Sequence, residues 1–168
     1  KGLLMDLSKT DVDTSGLSDN TVALGKVDGK LLALTTSINA QFMIANKEIL
    51  EQAGVSIPDD NYTWEDYANI LVTIHNKTGK YGAANEMEQP AYLDYFARTK
   101  GESLYSEDGK KVGMSKETLT NWFKFWLELQ EKGGVPSAEE NAAYSHNDMT
   151  ASPFIKGKTA FNWLFLGT

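Results

Sequence analysis

The sequence predicts a mixed α/β domain, a mixed sheet flanked by helices. Three observations predict it. Helix and strand signals alternate along the chain. Most helix signals carry their own cap and terminator. The run Thr159-Ala160-Phe161-Asn162-Trp163-Leu164-Phe165-Leu166 is too apolar and aromatic for anything but a strand buried on both faces. At 168 residues, 41% hydrophobic and 23% charged, the chain has the length and composition to bury a sizeable core.

Taken in order, Lys26 to Leu34 reads as a hairpin turned at Asp28-Gly29. Asn46 caps a short helix, Lys47–Ala53, that ends at Gly54 with Pro58 beyond. Thr63 caps a longer helix with Asp66 as its capping-box partner. Tyr62 and Tyr67 sit at staple positions there, Tyr67, Leu71 and Ile74 form the inward stripe, and Gly79 closes it. A short strand is expected over 81–84, followed by the loop Asn85-Glu86-Met87-Glu88-Gln89. Pro90 suits a first helical position, so a helix over 91–100 precedes Gly101. Asp108-Gly109 marks a tight turn. Ser115 caps a helix running to about Lys132, with Leu119, Trp122, Phe123, Trp126 and Leu129 as a broad buried face. Residues 137–151 are polar and mixed, and Ser152-Pro153 opens a turn stopped by Gly157.

Charge and composition exclude several functions. Sixteen basic against twenty-three acidic residues give a net charge of −7, a poor match to nucleic acid. No run of apolar residues is long enough to span a membrane. The start, Lys1-Gly2-Leu3-Leu4-Met5-Asp6, shows no signal peptide and no initiating methionine, as expected of a mature form or an excised piece. Without cysteine there is no disulfide, thiolate metal site or cysteine nucleophile. Gly157-Lys158-Thr159 mimics the end of a phosphate loop, but Ser152 stands where its first glycine must be. Asp11 to Gly16 copies half a calcium loop, with Val22 at the position that needs a bidentate glutamate. His75 and His146 are not spaced for a metal, and His75 reads as an exposed residue near a helix C-terminus. No serine-nucleophile elbow is present, and no cofactor is expected. Carboxylates are plentiful, so a carbohydrate hydrolase using two of them stays as the alternative function.

The aromatic content of 11% stands out. Trp122, Phe123 and Trp126 follow helical spacing and read as core. Tyr62, Trp64, Tyr92 and Trp163 fall in non-periodic places beside polar groups, the combination that suits the apolar face and hydroxyl rim of a sugar.

Four stretches, in order, resemble the sugar- and oligosaccharide-binding branch (family 1) of the extracellular solute-binding proteins of bacterial ABC importers. They are Val27-Asp28-Gly29-Lys30-Leu31-Leu32-Ala33-Leu34, Phe42 to Gly54 with its Asn46-Lys47-Glu48 helix start, Pro58 through Thr63-Trp64-Glu65-Asp66, and Phe154-Ile155-Lys156-Gly157-Lys158-Thr159-Ala160-Phe161. Ala45, Thr35 and Phe161 depart from the family's usual tyrosine, proline and methionine, and Thr35 leaves the hinge without proline's fixed backbone.

The resemblance implies a type II periplasmic-binding-protein-like lobe. Residues 1–36 would be the end of the first lobe and a hinge crossing, and 37–168 a truncated second lobe. It implies a non-catalytic protein that binds an extracellular sugar or oligosaccharide and delivers it to the membrane subunits of an ABC importer. Such a protein works outside the cell or in the periplasm, as a lipoprotein in the full-length parent. For the ligand site it implies Asn39 after the hinge, Glu88 and Gln89 before the helix at Pro90, and stacking by Tyr92 and Trp163.

Overall fold

Local capping decides where the helices begin. In the computed structural model, which describes residues 2–35, 37, 39–144 and 149–165, the side chains of Ser18, Asn46, Thr63, Ser115 and Ser137 each accept a backbone N–H in the first turn of the helix that follows. The helices are α1 (Asp19–Ala23), α2 (Lys47–Ala53), α3 (Trp64–Thr78), α4 (Pro90–Arg98), α5 (Lys116–Glu131) and α6 (Ala138–Asn141). The strands are β1 (Lys26–Val27), β2 (Lys30–Leu31), β3 (Gln41–Ala45) and β4 (Phe161–Phe165). The fold is that of an α/β lobe, and the chain divides into two compact units: one of residues 1–41 with 165–168, the other Phe42–Leu164.

In the smaller unit β1 and β2 form the expected hairpin. Asp28 and Gly29 take φ of 50° and 76°, the left-handed pair a two-residue hairpin turn requires. The Asp13 carboxylate accepts from Ser15 N at 2.9 Å, so the acidic stretch before Gly16 is a side-chain-closed turn.

In the larger unit α3 packs against α2 and α5, and α4 against α5. Their inward faces enclose Ile49 and Leu50 (α2), Tyr67, Leu71 and Ile74 (α3), Phe96 (α4), and Trp122 and Trp126 (α5), with Phe161 of β4 beneath. Thr63 and Asp66 complete a reciprocal capping box, Gly54 and Gly79 end their helices in the left-handed conformation, and Pro90 starts α4.

Several expectations are corrected. The strand over 81–84 reduces to a parallel bridge between Tyr81 and Thr159, because Gly82 N donates to Gly134 O (2.8 Å) and not to a neighbouring strand. A Cβ on Gly82 would stand 2.5 Å from Leu71 Cα, so only glycine allows this approach to α3. Phe123 is 43% exposed, because Thr118, Trp122, Trp126 and Leu129 already fill the inward face of α5 and Phe123 lies beside it. The last strand is buried at Phe161 but only half-buried at Asn162, Trp163 and Leu164, β3 being its neighbour in the sheet among the described residues. Leu166 lies outside the described residues, as does His146. His75 is half-buried, stacked on Tyr81 (6.1 Å between centroids, 13° between planes) in space left by the missing side chain of Gly133. The polar stretch 137–151 holds α6, which no apolar periodicity announces.

Candidate functional site

Aromatic rings from three helices and β4 meet in the larger unit. Trp64, the first residue of α3, lies edge-on to Tyr67, Phe96, Trp122 and Phe125 with centroids 5.5–6.2 Å apart. Trp163 of β4 lies 5.1 Å from Tyr92, and its indole N–H donates to the Tyr67 hydroxyl at 3.2 Å. Edge-to-face and tilted contacts of this kind hold rings in fixed orientations. Beside them opens a pocket of about 630 Å³, walled by Tyr62, Trp64, Tyr67, Tyr95, Phe96 and Trp163. Thr63, Glu65, Thr99 and Lys100 supply its polar groups. Such a mostly apolar wall with a few polar groups is the usual make-up of a small-ligand site.

A largely buried loop is tied to these rings through Trp122. Asn85 and Asn141 exchange two hydrogen bonds: Asn85 N donates to Asn141 Oδ1, and Asn141 Nδ2 donates to Asn85 O, both at 2.9 Å. Met87 N donates to Asn85 Oδ1 (3.1 Å), and the Trp122 indole N–H donates to Met87 O (2.9 Å). Between these ties sits Glu86, 2% exposed. Burial, with the charge of Glu88 adding, pushes its carboxyl from the ordinary 4.5 up to about 7. Burial also raises the Tyr67 and Tyr92 phenols, and the charge of Glu86 raises both further.

The five residues expected from the sequence are placed differently from one another. Tyr92 and Trp163 are in contact. Tyr92 is only 6% exposed and backs Trp163, which is half-buried and lines the pocket. Glu88 is exposed in the turn before α4, and Gln89 is the residue preceding that helix, half-buried and making no side-chain cap. Asn39 is exposed in the smaller unit. Sequence reasoning missed Glu86 and Tyr95. A signal for Glu86 existed: Gly82-Ala83-Ala84 is too small and apolar for a solvated loop, so the polar pair after it starts from the interior. Among the described residues no group of His, Asp or Glu is arranged to hold a metal, and no helix is long and apolar enough to cross a membrane.

The family described as bacterial extracellular solute-binding protein matches residues 1–163. An arabinooligosaccharide-binding protein of Halalkalibacterium halodurans is 28% identical over 132 residues, 74% of this chain and 29% of that protein. Among solved structures, a periplasmic solute-binding protein from Pectobacterium atrosepticum has a TM-score of 0.80 at 20% identity, over 96% of this chain and 42% of that one. An ABC substrate-binding protein from Listeria monocytogenes, in complex with cycloalternan, has 0.78 at 22%, over 98% and 43%. At these identities the structures speak to the fold, and this chain spans well under half the length of each relative. With the family match running through all but the last five residues, the chain belongs to the bacterial extracellular solute-binding proteins.

Proposed function

We propose that this chain is part of the substrate-binding component of a bacterial ABC importer, and that it binds an extracellular sugar or oligosaccharide without altering it. The observation that carries this reading is the aromatic pocket with its polar rim. A pyranose or furanose ring offers an apolar face for Trp163 and Tyr95 and hydroxyls for Thr63, Glu65 and Thr99. Tyr92 acts from behind by holding Trp163, while Glu88 and Gln89, in and after the turn before α4, offer side chains to further hydroxyls; Asn39, in the smaller unit, is proposed as a hydroxyl ligand in its own right. Residues 1–36 then belong to the end of the first lobe and a hinge crossing, and 37–168 to the second lobe. The names of two relatives, one an arabinooligosaccharide-binding protein and one bound to cycloalternan, support an oligosaccharide as ligand. The membrane subunits of the importer are the proposed partner, met outside the cytoplasmic membrane.

A thermal-shift screen against mono- and oligosaccharides tests this, with a reducing-sugar assay in the same wells. A ligand at about a hundred times its Kd adds about 2.7 kcal/mol, a rise of about 5–10 °C for a domain of this size. The expected result is such a shift with some neutral oligosaccharide, no release of reducing ends, and loss of most of the shift in Trp163→Ala. No shift with any sugar sinks the reading. Reducing ends accumulating with time replace it with the hydrolase.

A further inference from the structure

We infer that Tyr67 is the positioning residue of the sugar site: its hydroxyl takes the indole N–H of Trp163 and so sets the plane of the ring on which the sugar stacks. The inference rests on the sugar-binding reading above and adds a residue to its machinery. Tyr67 and Trp163 both wall the pocket. The Trp163 N–H donates to the Tyr67 hydroxyl oxygen at 3.2 Å, joining β4 to α3 across 96 positions of sequence. The two rings stand 76° apart with centroids 6.3 Å distant, so the hydrogen bond and the edge-to-face contact favour the same setting.

The anchor is rigid where the indole by itself is not. Tyr67 is 1% exposed and is held in turn by Tyr62, Trp64 and Phe161, at centroid distances of 6.4, 6.2 and 6.4 Å. Trp163 is half-buried, and Tyr92, at 5.1 Å, is its second ring contact among the described residues. Packing on rings leaves the tilt of a half-buried indole open, and a hydrogen bond from its single donor closes it. A ring ordered before the ligand arrives spares that ordering cost at binding. The bond also decides what Trp163 can give a ligand. An indole has one N–H and no acceptor, so with the N–H spent on Tyr67 it offers a face and no hydrogen bond. Hydroxyl recognition is left to the polar rim.

A purely structural hydroxyl would behave differently. A phenol that only closes a buried hydrogen bond contributes to stability and leaves the affinity of the folded chain alone. A phenol that positions Trp163 changes affinity, and only while an indole is there to be positioned. Tyr67→Phe keeps the ring and removes the oxygen. Trp163→Phe keeps a stacking face and removes the donor.

The test is a calorimetric titration of the full chain with neutral arabino-, malto- and xylo-oligosaccharides, in wild type, Tyr67→Phe, Trp163→Phe and the double variant. Tyr67→Phe is expected to bind the best of these sugars about three- to tenfold weaker than wild type. In the Trp163→Phe background the same change should cost nothing further. A second measurement needs no change at Tyr67, should Tyr67→Phe fold poorly. In wild type the Trp163 indole N–H, identified by its absence in Trp163→Phe, should show a nuclear Overhauser contact to the Tyr67 ring both with and without sugar. Unchanged affinity in a folded Tyr67→Phe, equal losses in the two backgrounds, or a contact that disappears when sugar binds overturns the inference and leaves sugar binding intact. Binding of none of these sugars by the wild-type chain overturns both.

Discussion

At Glu86 a buried carboxyl works against the fold. The group's pKa is raised from 4.5 to about 7, so the sign of its linkage is fixed. Below pH 4.5 it is protonated in both folded and unfolded chains and costs nothing. Between 4.5 and 7 the folded chain keeps a proton that the unfolded chain has released, and stability from this group falls as pH rises. Above 7 the full cost remains, about 3 kcal/mol at most. Glu86→Gln cannot ionise, so the variant should gain on wild type between pH 4.5 and 8. Urea midpoints across that range check this, and a constant difference between the two proteins refutes it.

At the scale of elements, α6 is a four-residue helix that holds two parts of the larger unit in place. Glu140 accepts from the hydroxyls of Tyr81 (2.6 Å) and Tyr144 (2.9 Å), and the next residue, Asn141, ties the Glu86 loop. Asn141→Ala would strip Asn85 of a donor and an acceptor in a buried setting, at about 1–3 kcal/mol for each group left unmade. Asn141→Asp keeps the acceptor alone and should retain part of that. Equal urea midpoints for wild type and Asn141→Ala would show that α6 is no brace. These two ties also mark what the sequence makes legible. Helix starts at Asn46, Thr63 and Ser115 were readable because the cap and its N–H lie within three residues of each other. The Asn85–Asn141 bond joins positions 56 apart, and no local rule connects them. For the same reason the proposed stacking residue Trp163 was visible as an aromatic out of pattern, while the burial of Glu86 and Tyr92 depends on partners elsewhere in the chain.

At the scale of the whole molecule, the packed core of the larger unit draws on four helices and β4, whereas in the smaller unit Leu31 is the buried hydrophobic among the described residues. Local opening is cheap where few apolar contacts must be broken. Hydrogen exchange should therefore leave α3 and α5 protected long after residues 2–35 have exchanged. Equal protection in both units would contradict this. The aromatic wall has an optical consequence as well. All four tryptophans belong to one chain of ring contacts: Trp126 to Trp122, Trp122 to Trp64, and Trp64 through Tyr67 to Trp163. Chromophores at such spacing exchange excitation and couple their transitions. The near-ultraviolet circular dichroism and the emission of this chain therefore report the wall as one unit, and a disturbance at Trp163 is registered by indoles it never touches.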